Sequence, residues 1–254
     1  MRKYLIVAVA ALLAVALTAV SSTAQSADTF TVKTTVKPKK AGTKTSPKNS
    51  TLELKVVNGN TKKTMSDLDI YLPKAAKVSL KGLPSCANAD VGTSKCATKV
   101  VGTGEAKALV GVDGPAPQPI TFAVTAYKTK SVLNGKDMLG FFIDGPGGLD
   151  FLTETQLKKA SGKYGQRLHI DVPEAAQRTG ASSFNGLVSL QIGGRSDTGT
   201  RFKPLGKKSG NKKLIATTNC VNKKHPFKTV LTFIENEVTR PDKLSKTSSS
   251  RCTK

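Results

Sequence analysis

Apolar and polar residues alternate with period two along most of this chain. Leu52, Leu54 and Val56 fall on one side, with Glu53 and Lys55 on the other. The same alternation sets Leu68, Ile70 and Leu72 against Asp67, Asp69 and Tyr71, and Ile120, Phe122, Val124 and Ala126 against Thr121 and Thr125. It recurs in Leu168, Ile170 and Val172 and over residues 187–192, and β-like runs also cover 30–36, 100–110, 138–143, 213–218 and 227–234. Turn-forming groups separate them: Asn58-Gly59, Asp113-Gly114-Pro115, Asn134-Gly135, Asp144-Gly145-Pro146-Gly147-Gly148 and Ser161-Gly162. About ten short strands, each apolar on one face and rich in Lys, Thr or Ser on the other, predict an all-β fold of antiparallel sheets. An Ig-like β-sandwich is the expected architecture. Residues 153–159 are the one helical competitor, through a capping box between Thr153 and Gln156. A strand arm turning at Ser161-Gly162 is preferred there.

A Pro-rich loop at 113–119 separates a first half, 25–112, from a second, 120–254. The pattern fits two closely packed small sandwiches or a single domain over 29–254, and no internal repeat is visible. Residues 1–24 read as an export signal. Arg2 and Lys3 form its positive start, 5–20 its apolar core, and Ser22-Thr23-Ala24 its small-residue cleavage site. That core has 16 residues, short of the roughly 20 a spanning helix needs. The expected mature protein is therefore secreted, extracellular or loosely wall-associated, with no transmembrane span after cleavage.

Export gives the four cysteines, Cys86, Cys96, Cys220 and Cys252, an oxidising environment in which disulfides form. Three pairings exist. The sequence-local one, Cys86–Cys96 with Cys220–Cys252, is expected, because the first bridge closes a Gly/Ser/Asn/Asp-rich loop and the second ties a polar tail to a strand end. Gaps of nine and 31 residues speak against a zinc site, whose paired ligands are separated by about two to four.

Charge changes the picture most. Lys and Arg number 40 against 17 Asp and Glu, a formal net charge of +23. Residues 198–234 hold no acid and nine cations, among them the expected polyanion-binding set Lys203, Lys207, Lys208, Lys212, Lys213, Lys223, Lys224 and Lys228. Residues 29–52 add Lys33, Lys37, Lys39, Lys40, Lys44 and Lys48, again unopposed. Such a field attracts polyanions over about 8–10 Å at ordinary salt; it also serves solubility and keeps sheet edges from pairing. Lys outnumbers Arg 33 to 7, and aromatic residues make up 5% with no Trp. Without Arg forks or stacking aromatics, a dedicated nucleic-acid reader is not expected. The partner these charges imply is an anionic cell-wall polymer or another extracellular polyanion, bound in a salt-sensitive way.

Material for catalysis is thin. His169 and Asp171 share the wet face of a strand and supply the alternative reading, a secreted hydrolase with an Asp-oriented imidazole. Two solvated side chains is the preferred account. Asp67 and Asp69 share a strand face that suits a cation, although pairing with Lys is expected in so basic a chain. His225, among Lys223, Lys224 and Lys228, is expected to be neutral. Gly194-Arg195-Ser196-Asp197-Thr198-Gly199 lacks the spacing of a nucleophile elbow, and Gly102-Thr103-Gly104 lacks the third glycine of a dinucleotide site. No catalytic residue, metal or cofactor is assigned, and a non-catalytic extracellular or cell-envelope protein is expected.

One resemblance bears on this. The run Pro38-Lys39-Lys40-Ala41-Gly42-Thr43-Lys44, then Leu83-Pro84-Ser85-Cys86, Lys95-Cys96 and Val101-Gly102-Thr103-Gly104-Glu105-Ala106 resembles a group of secreted proteins of high-GC Gram-positive bacteria. Ala97 stands where that group has proline. The likeness is close over about 30–110 and loose elsewhere. It implies an all-β, exported protein and carries over no activity.

Overall fold

The alternating runs become two antiparallel sheets packed face to face. The computed structural model describes residues 30–58, 64–110, 118–173, 187–196, 202–204, 214–234 and 243–254; the expected export signal lies outside them. The strands in chain order are β1 (Phe30–Lys37), β2 (Lys48–Asn58), β3 (Thr64–Pro73), β4 (Ala76–Val78), β5 (Val100–Val110), β6 (Gln118–Lys130), β7 (Asp137–Asp144) and β8 (Phe151–Thr153). There follow β9 (Thr155–Lys159), β10 (Tyr164–Asp171), β11 (Leu187–Ile192), β12 (Gly194–Ser196), β13 (Phe202–Pro204), β14 (Ile215–Thr217), β15 (Lys224–Ile234) and β16 (Lys243–Arg251). The larger sheet runs β4-β14-β2-β11-β5-β6-β7-β8 with β1 also on β2; the smaller runs β16-β15-β3-β10-β9, and β12 and β13 form a separate hairpin.

Period-two sequence makes these strands because one face of each has a core to enter. Leu52, Leu54, Val56, Phe122, Val124 and Leu190 point inward from the larger sheet, and Leu68, Ile70, Leu168, Phe227, Leu231 and Phe233 from the smaller. Burying each such side chain contributes about 1.5–3 kcal/mol. Both sheets take strands from both sides of the Pro-rich loop, so residues 25–112 and 120–254 interleave.

Residues 153–159 are strand, not helix. The chain leaves β8, passes through Glu154 and enters β9 in the opposite sheet. Its hairpin to β10 turns at Gly162, whose φ of +65° is the left-handed conformation that glycine adopts without a Cβ clash.

Cys86–Cys96 and Cys220–Cys252 are the two disulfides. The first lies in the connection from β4 to β5, where both cysteines pack with Val91 and Tyr127 beside Phe142 and Leu152. That burial, partly offset by a hydrogen bond with the Gly92 backbone, pushes the Tyr127 hydroxyl above its ordinary pKa.

Candidate functional site

Two places gather polar chemistry. The first is on the outer face of the smaller sheet. Because Leu68 and Ile70 face inward on β3, Asp67 and Asp69 face outward; likewise Leu168 and Ile170 turn His169 and Asp171 outward on β10. Antiparallel register places His169 opposite Asp69 and Asp171 opposite Asp67. The imidazole Nδ1 lies 2.9 Å from Asp69 Oδ1, and Nε2 lies 2.8 Å from Asp171 Oδ1 and 3.6 Å from Asp67 Oδ1. Arg167 Nη1 approaches the other Asp69 oxygen at 3.5 Å, and the Ser66 hydroxyl donates to Asp67 at 2.7 Å.

These groups are half-buried and bonded to one another, which corrects the reading of His169 and Asp171 as separately solvated. It also corrects the pairing of Asp67 and Asp69: among the described residues their partners are His169, Ser66, Arg167 and, for Asp67, Asp171, with no lysine. Burial, with a further push from Asp67, holds the Asp171 carboxyl above the ordinary carboxylate pKa despite the neighbouring His169. The donor atoms of Asp67, His169 and Asp171 lie within 4.8 Å of one another, close enough for one cation to touch all three. A triad needs an imidazole nitrogen facing a hydroxyl. Here both nitrogens face carboxylates, and among the described residues no Ser or Thr hydroxyl bonds to His169.

The second place is the seam where β1, an edge of the larger sheet, meets β16, an edge of the smaller. A parallel bridge between Lys40 and Thr253 closes one end. There Ala41 N–H donates to the Thr253 carbonyl and Thr253 N–H to the Lys39 carbonyl, each at 2.9 Å. Ala41 packs directly on Cys220–Cys252. Farther along, side chains replace backbone pairing. The Ser250 hydroxyl accepts the Val36 N–H at 2.8 Å, and the hydroxyls of Thr34 and Ser248 meet at 2.8 Å. Above these contacts the two edges leave a groove of about 430 Å³. Its walls carry Lys33, Lys37, Lys39 and Arg251 and the hydroxyls of Thr247 and Ser249, with no acidic and no aromatic lining residue.

The two lysine-rich stretches come to the two sides of β16. Lys39 and Lys40, from the first, lie at its seam with β1; Lys223 and Lys224, from the second, lie on its β15 side, Lys223 accepting the Cys252 N–H through its carbonyl. Asn222 and Lys223 both have left-handed φ, +52° and +56°, which costs a non-glycine residue about 1–2 kcal/mol. Lys224 sits directly opposite Arg251, and Lys33 directly opposite Lys55. Lys37, by contrast, is paired with Glu53 at 2.6 Å.

The rest of the expected polyanion-binding set is placed differently. Lys228 lies over the Tyr71 ring on the outer face of the smaller sheet, 5.5 Å from its centroid. Lys203 falls in β13, and Lys207, Lys208, Lys212 and Lys213 lie outside the described residues. Lys33 and Lys39 belong to the unopposed block 29–52; Arg251 is the groove cation that lies in neither lysine-rich stretch. His225 is buried, and it is this burial that lowers its pKa and favours the neutral ring.

Fold and seam together define an all-β, disulfide-bonded sandwich with a cationic edge groove. No protein family, curated protein or solved structure matches the chain. Among the described residues no helix is long and apolar enough to cross a membrane.

Proposed function

We propose that this is a secreted, non-catalytic protein of the extracellular space or cell envelope that associates electrostatically with anionic wall polymers. The observation that carries the reading is the stacking of like charges within each sheet beside the seam: Lys33 on β1 against Lys55 on β2, and Arg251 on β16 against Lys224 on β15. Like charges directly opposite across a sheet destabilise it. An anionic partner offsets that repulsion, and the Cys220–Cys252 staple keeps the cations together without one.

Association of this kind draws its free energy from released counterions and weakens as salt rises. The test is a pull-down of the purified mature protein on native cell envelope at two salt concentrations. Strong retention at low ionic strength, lost at high, is expected. No retention at low ionic strength, or retention indifferent to salt, overturns the reading.

A further inference from the structure

We infer that the groove between β1 and β16 is the specific site of this association, and that it holds one strand of a linear phosphodiester polymer lengthwise. The inference rests on the polyanion reading and goes further by assigning the ligand chemistry and the residues that grip it.

The donors have the right variety. Lys33 and Lys39 supply point charges from one wall and Arg251 from the other, while Thr247 and Ser249 add exposed hydroxyls. Val36 N–H points into the seam, since it donates to Ser250. Strand alternation sends the N–H groups of Val32 and Thr34 the same way. Among the described residues no strand pairs with that edge of β1. Lysine, hydroxyl and backbone N–H donors arriving from several directions suit tetrahedral phosphate oxygens. With no aromatic in the lining, any base or sugar is left unread, and the phosphates alone carry recognition.

The rival occupant is an added peptide strand. It would need β1 and β16 to stand about two strand spacings apart, roughly 9.6 Å. The hydroxyl contacts Thr34–Ser248 and Val36–Ser250, each 2.8 Å, hold the edges closer than that and form the floor on which a polymer lies.

The test uses the full mature chain and a fluorescent oligothymidylate as the phosphodiester probe, titrated over a range of salt. Each phosphate contact removed lowers the slope of log K against log salt by about 0.7, so Lys33→Ser/Lys39→Ser/Arg251→Ser is expected to lower it by about 2. A control of equal charge change at exposed sites away from the groove, Lys77→Ser/Lys81→Ser/Lys136→Ser, is expected to leave the slope unchanged. Ser249→Asp, which leaves every cation in place, is expected to weaken binding at least tenfold.

Equal slope losses in the two triple variants overturn the groove while leaving envelope association intact. Failure of the unmodified protein to bind envelope at low salt removes both readings. Displacement of the probe by poly-L-glutamate at equal charge concentration overturns the phosphodiester assignment. An acidic extended peptide that displaces it, with new protection of β1 amides from exchange, replaces the polymer with a peptide strand.

Discussion

The backbone N–H of Val36 is satisfied by the hydroxyl of Ser250, 214 residues away at the edge of the opposite sheet. Both residues are buried, so this donor is cut off from water and depends on one side chain. Ser250→Ala is expected to lower stability by about 1–3 kcal/mol, the cost of a buried donor left unpaired. Urea unfolding measures it; a midpoint indistinguishable from the unmodified protein would show that water reaches the N–H.

Lys223 gives two effects of opposite sign. Its φ of +56° strains any residue with a Cβ, so Lys223→Gly is expected to stabilise the fold by about 1 kcal/mol. The same change removes a cation beside the staple and should weaken envelope binding. Thermal unfolding and the pull-down together check the pair. Both moving in the same direction would contradict the placement.

His225 ties stability to pH. Burial lowers its folded-state pKa below the ordinary value of 6.5, so as pH falls the unfolded chain takes up a proton that the folded chain refuses. The stability contributed by the neutral ring is complete above 6.5 and is lost as pH falls toward the lowered folded value. His225→Leu should flatten the stability profile in that window. An unchanged slope between the two variants would assign the acid loss to other groups.

Asp171 works in the opposite sense. Its folded-state pKa is raised from the ordinary value of 3.8, chiefly by burial, so ionisation on going above that pH opposes folding. Asp171→Asn is expected to raise the melting temperature at neutral pH and to have a smaller effect near pH 3. A lower melting temperature at neutral pH would mean that the contact with His169 outweighs burial.

Gly104 explains a motif that carries no chemistry. A Cβ there would collide with the Ser189 carbonyl across β5 and β11, and one at Gly102 would come within 2.7 Å of the Gln191 carbonyl. Gly104→Ala is expected to cost about 1–3 kcal/mol through forced overpacking, measured by chemical denaturation. Tolerance of alanine there would point to a ligand-related reason for the glycine.

The sandwich was legible wherever one strand face is apolar, as in β2, β3, β6 and β15. β16 was not, because Lys243, Ser245, Lys246, Thr247, Ser249 and Arg251 are exposed and only Ser250 is buried. An edge strand that contributes little to the core leaves no hydrophobic period to read, and without β16 the groove has one wall. The carboxylate cluster failed to appear for another reason. Each pair two residues apart was visible on its own strand, but bringing Asp69 to His169 depends on β3 and β10 being neighbours, a pairing of residues 100 positions apart in the chain. The disulfide spacing was readable because both bridges are local.

The staple next to Ala41 also sets what survives reduction. In the loop-entropy account, a bridge spanning 32 residues restricts the unfolded chain by about 3–4 kcal/mol. Cys220→Ala/Cys252→Ala should lose that stability and also weaken binding at the seam, because Lys39 and Arg251 lose their shared anchor. Full envelope binding by the double variant would separate the seam from the bridge.

The two margins of the sandwich are joined by different means. At Glu154 the polypeptide itself passes from one sheet to the other, whereas β1 and β16 are held by a short parallel bridge and a few hydroxyls. Local fluctuations follow the cheaper margin. The amides of β1 should therefore exchange with solvent well before those of β3 and β10, and the molecule should breathe like a book, along the side where the cations sit.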